Sequence, residues 1–308
     1  MSDVNSELVR KADLAASDLN TAGKLTVEQF DRFYQKLMIE PTLLQAVRMI
    51  PMTKPDMEIN KIGFGSRILR PAAAEGLGAT LAATDRVKPA LSKVTVSTVE
   101  LQAEIVIPYS VLEDNIEKDN LSDTIIDLAA QRSSIDLEEF GLLSTTGNGD
   151  AFLAQMPGWL EKVSSNVVDA ELAKLNKDVL LDVAMALPDQ FTRNLATYRH
   201  FVSRKNDLQY RNTIADRQTP AGDAIIAGMA PVYAFGTALS PVSQMPAANG
   251  LYTDPKNLIF GIHREVLIEV DKDIRGRVYF AVLTIRCGTA IEEEEGAVKL
   301  INLTDPQT

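Results

Sequence analysis

Two histidines, His200 and His263, are the side chains of this 308-residue chain best suited to proton transfer at neutral pH. A general base needs a pocket and a carboxylate to orient it. Neither histidine sits in such a spacing, and neither belongs to a metal-ligand pattern. His263 lies beside Arg264 and Glu265 in a strand-like segment, where a packed, hydrogen-bonded imidazole is expected. The run Glu292-Glu293-Glu294-Glu295 could attract a divalent cation. Four consecutive carboxylates ahead of Gly296 read instead as a solvated turn. Asp150 after Gly149 lacks the remaining ligand positions of a calcium loop. Gly63-Phe64-Gly65 opens like a dinucleotide turn, but Ile68 takes the third glycine's place and no helix follows, so it reads as a strand connection. The single cysteine, Cys287, excludes an intramolecular disulfide, argues against a thiolate zinc site and fits a reducing compartment. Arg199, Arg204, Lys205, Arg211 and Arg217 are interleaved with Tyr198, Phe201 and Tyr210, a mixture that can grip nucleic acid. Asp207 and Asp216 dilute it, so an exposed helix or an intersubunit charge patch is expected. No catalytic residue, cofactor or metal is expected.

Composition agrees. With 31 basic and 42 acidic residues the formal charge is -11, the wrong sign for a general phosphate-backbone binder. Hydrophobic residues at 45% and charged residues at 24% describe an ordinary soluble globular chain. The start, Met1-Ser2-Asp3-Val4-Asn5, has neither a basic nor an apolar region, so no signal peptide is expected. Residues 224–253 carry no charge, but Pro231, Pro241 and Pro246 cut them too short for a membrane helix. They read as strand-rich interior, and no membrane contact is expected.

The elements that must hold such a chain together are large and few. Thr26 caps a helix with Phe30, Phe33, Tyr34 and Leu37 on one stripe, stopped at Pro41. Residues 57–107 read as a long two-stranded excursion with an Ala/Gly-rich tip. Its return strand changes phase between Val96 and Val99, which predicts a bulge near Ser97-Thr98. A hairpin of that length needs another surface to lie on. Asn120 to Ser144 predicts a helix of about 33 Å with two apolar stripes, terminated by Gly147. A second helix is expected over 178–187. Two long strands, 258–270 and 277–290, flank Asp271-Lys272-Asp273-Ile274-Arg275-Gly276, and a short strand, 297–303, follows. Strands and helices do not alternate regularly, so the fold class is α+β.

Ile105-Val106-Ile107-Pro108-Tyr109-Ser110-Val111-Leu112-Glu113-Asp114 resembles the end of the extended loop in tailed-bacteriophage major capsid proteins of the Hong Kong ninety-seven type. Leu121 to Leu143 resembles that family's spine helix. Gly147-Asn148-Gly149-Asp150 and Met156-Pro157-Gly158-Trp159-Leu160 resemble the motifs that follow it, and Met245-Pro246 and Ile259-Phe260-Gly261 resemble later ones. The resemblance covers nearly the whole chain, in order. It implies an N-terminal arm at 1–56 and an E-loop at 57–107. It further implies a peripheral domain with spine helix and P-loop hairpin at 108–156 and 262–290, and an axial domain at 157–261 and 291–308.

The implied function is structural: hexamers and pentamers of one chain in an icosahedral shell around packaged double-stranded DNA, which is not bound sequence-specifically. The implied location is the virion capsid, assembled in the host cytoplasm. Scaffolding, portal and decoration proteins are the further partners. Intersubunit contacts are expected from Asp271, Lys272, Asp273, Arg275 and Arg277 on the P-loop. The E-loop would contribute Arg67, Arg70, Glu75, Asp85, Arg86 and Lys88, and the arm Phe30, Phe33 and Leu37. Two alternatives stand beside this reading: an encapsulin-like compartment holding protein cargo, and a soluble oligomeric enzyme with a histidine base.

Overall fold

The computed structural model describes residues 41–64, 67–69, 71, 81, 86–109, 121–215 and 232–306; over 121–127 and 264–270 the backbone alone is described. The helix expected after Thr26 and the cap expected at Asn120 lie outside the described residues.

Two sheets and a ribbon carry the chain. β1 (Arg48–Pro51), β10 (Leu258–Asp273), β11 (Val278–Ile291) and β4 (Val99–Pro108) form a four-stranded sheet in the order β1-β10-β11-β4. β5 (Val167–Asp169), β6 (Arg199–Ser203), β7 (Tyr233–Ala234), β8 (Thr237–Val242), β9 (Gly250–Thr253) and β12 (Ala297–Ile301) form a six-stranded sheet ordered β5-β12-β9-β6-β8-β7. β2 (Asp56–Gly63) and β3 (Ala90–Ser97) pair only with each other. Among the described residues the helices are α1 (Thr42–Ala46), α2 (Leu121–Leu143), α3 (Trp159–Lys162), α4 (Lys177–Met185) and α5 (Arg204–Ala215). The mixed, irregular order is the α+β class expected. The expected domain boundary between Gly261 and Ile262 falls inside β10, whose register against β11 shifts between Ile262 and Arg264 and again between Arg264 and Leu267.

The return strand corrects the bulge expectation. The phase change at Ser97-Thr98 is a junction between two ladders, not an extra residue in one ribbon. β3 pairs β2, while β4 leaves that ribbon and runs antiparallel to β11 over Val99–Cys287 to Pro108–Val278. Thr98 pins the junction by donating its N–H and Oγ1 to the Pro55 carbonyl at 3.0 and 2.9 Å. The crossing needs space beneath it. Gly261 and Gly288 face each other in the β10–β11 ladder. A Cβ on Gly288 would stand 2.1 Å from the Ser97 carbonyl oxygen, and one on Gly261 would stand 2.5 Å from Met52 Sδ. Only glycine lets the ribbon's base pass this close.

The main core joins the helices to the four-stranded sheet. Leu43 and Leu44 of α1, Leu137, Phe140 and Leu142 of α2, Trp159, Phe260, Leu283, Ile285 and Cys287 are buried together. Odd positions of β11 face this core and even ones face away, as a strand's two-residue period requires. On α2 the stripe containing Ala130, Leu137 and Phe140 is buried, while the other stripe is divided, with Leu128 exposed and Leu142 fully buried. Trp159 Nε1 donates to the carbonyls of Ala290 at 3.1 Å and Ile259 at 3.3 Å, the cross-strand pair two steps from the glycines. Gly158 packs against the end of α2 and donates to the Ser144 carbonyl at 2.7 Å. The Met-Pro-Gly-Trp-Leu motif is therefore the joint where α3 locks onto both α2 and the sheet.

Buried Glu138 of α2 accepts from the Leu43 N–H at 3.0 Å, filling the cap that Pro41 cannot supply to α1. Burial raises its pKa, opposed by the N–H groups of Leu43 and Leu44. A second core lies between the six-stranded sheet and α4 and α5, built from Val179, Leu180, Val183, Val202, Tyr210, Tyr252 and Val298. Asn176 caps α4 by accepting from Asp178 and Val179 N–H at 2.9 Å.

Gly288→Ala is expected to destabilise the chain by about 3 kcal/mol or more, because a backbone carbonyl rather than a movable side chain blocks the methyl. Gly149→Ala, with nothing within 4 Å of the added carbon, is expected to be near neutral. Chemical denaturation of both variants against the parent chain checks the difference.

Candidate functional site

Two exposed projections leave the body. The first is the ribbon of β2 and β3. Its inward row, Met57, Ile59, Val94 and Val96, packs on Met52, Ile259 and Ala290. That row ends at Lys61. One step further the outward pair Ile62 and Leu91, cross-strand partners, are 73% and 76% exposed. Phe64, Ile68 and Leu69 continue the apolar display, with Leu69 at 84%. Arg67, Arg86 and Lys88 are exposed around them, and Arg86 Nε donates to the Leu81 carbonyl at 3.1 Å. Isolated exposed apolar residues are ordinary; a cluster at the end of a projecting ribbon marks an interaction surface. Arg70, Glu75 and Asp85 of the same loop, and Phe30, Phe33 and Leu37 of the arm, lie outside the described residues.

The second projection is the β10–β11 turn. Asp273 Oδ1 accepts from the Arg275 N–H at 2.8 Å, and Arg277 adopts a left-handed φ of 53°. The fold therefore presents Arg275, Arg277 and the 77% exposed Ile274 on a tight, shaped turn. Lys272 is drawn back. Its ammonium lies 5.6 and 5.9 Å from the ring centres of Tyr109 and Tyr279, a cation–π seat on its own chain. Asp271 Oδ1 accepts from the Lys272 N–H at 2.7 Å. Of the five residues expected to reach neighbours, Asp271, Lys272, Arg275 and Arg277 are exposed and Asp273 is half-buried, with Lys272 also engaged on its own chain.

Two sequence readings are refined by the structure. Glu292–Glu295 is a solvent-facing turn, as expected, and is also a hub of ion pairs and hydrogen bonds. Glu292 pairs with Arg48 at 2.9 Å and Glu293 with Lys61 at 2.7 Å, while Lys61 also donates to the Glu292 carbonyl. Glu294 Oε1 accepts from the N–H and hydroxyl of both Ser164 and Ser165 at 2.8–2.9 Å. The Ser164 N–H does most to hold its carboxyl below the usual range, with the two hydroxyls and the Ser165 N–H adding to it against the opposing effect of burial. Glu295 accepts from Gln190 Nε2 at 2.9 Å. Partners far away in sequence supply every donor, which is why the run looks merely hydrophilic when read alone.

The basic, aromatic segment is not an exposed helix throughout. Arg199–Ser203 is an interior strand with Phe201 buried, Tyr198 and Tyr210 are buried, and Arg204 and Arg211 converge on the buried Asp207 at 3.3 and 2.9 Å. Arg199, Arg204 and Lys205 remain exposed, and Arg217 lies outside the described residues.

Of the groups that could do chemistry, His200, Lys162 and Cys287 are enclosed by the fold and His263 is half-buried on β10. His200 is stacked on Tyr252 with ring centres 4.2 Å apart, in a cavity of about 10 Å³, room for one water. Leu180, Val183, Val202, Leu251 and Leu300 line it, and no substrate fits there. Burial pushes the imidazole down to about 4. Lys162, pushed down to about 8 by burial against the opposing pull of Glu161, has its Nζ committed to the Thr289 carbonyl and hydroxyl. Cys287, fully buried, is pushed up to about 12. No cluster of three or more His, Cys, Asp or Glu that could hold a metal ion occurs among the described residues, and no helix among them is long and apolar enough to cross a membrane.

No protein-family model matches the sequence. The chain is 34% identical over 313 residues to the putative prophage capsid protein YqbE of Bacillus subtilis (strain 168), across 98% of this chain and 99% of that protein. Among solved structures it is similar to a chain of the satellite phage P4 procapsid that includes the size determination (Sid) protein. That match has a TM-score of 0.64 and 14% identity, over 99% of this chain and 98% of the other. It is also similar to the capsid of an empty GTA particle, with a TM-score of 0.59 and 14% identity, over 86% and 90%. The fold is thus that of phage capsid proteins of the Hong Kong ninety-seven type.

The walled-in histidine has a pH consequence. Unfolded, its imidazole titrates near the ordinary 6.5; folded, near 4. Between those values the unfolded chain binds the extra proton. This contribution is therefore full above pH 6.5 and falls as pH drops toward 4, by about 3 kcal/mol in all. Denaturation curves of the parent and His200→Phe between pH 7 and pH 4 are expected to diverge by that amount, the variant being the flatter.

Proposed function

The chain belongs to the phage capsid protein family, and we propose that it is the major shell subunit, whose copies form hexamers and pentamers of a closed icosahedral container around double-stranded DNA. One observation carries the assembly part. The ribbon ends in the apolar surface of Ile62, Phe64, Ile68, Leu69 and Leu91, which its own body leaves uncovered. A two-stranded ribbon is marginal alone, and the occupant that fits a shell is the next copy of the same chain. An obligate interface of this kind buries roughly 2,000 Å² or more, so each copy's stability is completed by its neighbours.

The exposed arginines at 275 and 277 supply the second contact, opposite acidic groups on neighbouring copies. The net charge of -11 suits a wall that encloses a polyanion without gripping it. The burial of His200, Lys162 and Cys287 supports a purely structural role. Genome rather than protein cargo is favoured by what the 34% identical relative is, a prophage capsid protein. Scaffolding, portal and decoration proteins are proposed as partners during assembly in the host cytoplasm.

Expression of the chain followed by negative-stain electron microscopy is expected to give closed particles, and with the scaffold co-expressed a uniform size. Ile62→Asp combined with Leu91→Asp is expected to leave a folded chain that sediments as free subunits on a sucrose gradient. Arg275→Glu with Arg277→Glu is expected to lower particle yield several-fold while circular dichroism stays unchanged. Parent-level yield from both double variants would remove these two surfaces from the assembly.

A further inference from the structure

Lys61 occupies the one place where the ribbon stops being supported. Behind it, Met57 and Ile59 rest on Met52, Ile259 and Ala290. Ahead of it, Ile62 and Gly63 and their β3 partners Leu91 and Ala90 are exposed, as is Phe64. Lys61 is the last inward-facing residue of β2, and its side chain is 19% exposed. It reaches the acidic hub instead of a hydrophobic neighbour, pairing with Glu293 at 2.7 Å and donating to the Glu292 carbonyl. Arg48, at the start of β1, holds the same Glu292 from another side. The hub is tied in turn to Ser164, Ser165 and Gln190, so the ribbon's direction is referred to three separate parts of the body.

An apolar side chain at position 61 would meet the acidic hub in place of a hydrophobic neighbour and would not hold the ribbon. An ion pair with a half-exposed glutamate holds it weakly and lets go readily, because water screens such pairs. We propose that Lys61, Glu292 and Glu293 form a releasable clamp that sets the angle at which the ribbon leaves the body, and hence where its apolar end meets the next copy. The placement on a next copy rests on the shell reading above; the clamp itself does not. Opening it frees the outer half of the ribbon to lift while Met57, Ile59, Val94 and Val96 keep its base in place.

The test is a distance measurement on the full-length, unassembled chain. Spin labels at Leu91→Cys and Asn194→Cys report the ribbon's end against the body. The native Cys287 is fully buried and stays unlabelled. The parent is expected to give one narrow distance distribution. Lys61→Met, which keeps the aliphatic length, is expected to broaden it and add a longer-distance population, as is about 1 M salt, where charges are screened beyond about 3 Å. Exchanging the charges, Lys61→Glu with Glu293→Lys, is expected to restore the narrow distribution. A Lys61→Met distribution that coincides with the parent's overturns the clamp. Particle yield of the unlabelled parent is read separately: its absence overturns the shell reading and leaves the clamp result standing.

Discussion

Everything in this fold is arranged around a close crossing of backbones. The carbonyl of Ser97 passes over Gly288 at a distance that admits no side chain, and Met52 and Val96 fill the place a side chain on Gly261 would need. That contact lets one continuous strand leave the ribbon and enter the four-stranded sheet within a single residue. Immediately beside it, Trp159 ties Ile259 to Ala290 through one indole N–H. The tryptophan in turn stands on Gly141 of α2, where a Cβ would lie 3.0 Å from its ring. Long helix, sheet and projecting ribbon thus share one packed junction. Close packing without slack makes such a junction rigid. Rigidity here is what gives the ribbon a defined root.

Charge plays the complementary part. Ion pairs and carboxylate bonds gather on the surface of the same region: Arg48 and Lys61 on the acidic hub, Arg286 on Glu100 at 2.9 Å across β11 and β4. Each is weak in water. Together they orient elements that the apolar core has already placed, and they can be rearranged without disturbing it. The division is physical: burial fixes what must not move, and solvent-facing charge trims what must be adjusted.

Much of this was legible in the sequence because it rests on local periodicity. The long helix, the paired late strands, the α4 helix and the strand-rich uncharged region all announce themselves by apolar spacing and by turn residues such as Gly147 and Gly276. Glycine and proline also marked the joint at Met156–Leu160. What could not be read was tertiary. The phase change at Ser97-Thr98 was visible, but choosing between a bulge and a change of partner requires knowing that β11 waits on one side. The acidic hub was opaque because its donors, Arg48, Lys61, Ser164, Ser165 and Gln190, come from four distant segments. Tyr198, Phe201 and Tyr210 looked like a binding surface and are core, since nothing in their spacing distinguishes a face turned to solvent from one turned to β8 and β9. The outward pair Ile62 and Leu91 did leave a signal. Two apolar residues fall on the wrong parity of an otherwise alternating ribbon, and that is the pattern of a surface whose cover comes from outside the chain.

If a neighbouring copy receives the ribbon on a different patch and does not return its own ribbon to the first copy, the contact is head-to-tail and repeats with a fixed rotation and rise. If the rise vanishes, the copies close into a ring; if it does not, they wind into an open tube. The two outcomes differ by a small change in the direction of one lever, so the root of the ribbon is also where the curvature of the whole assembly is written.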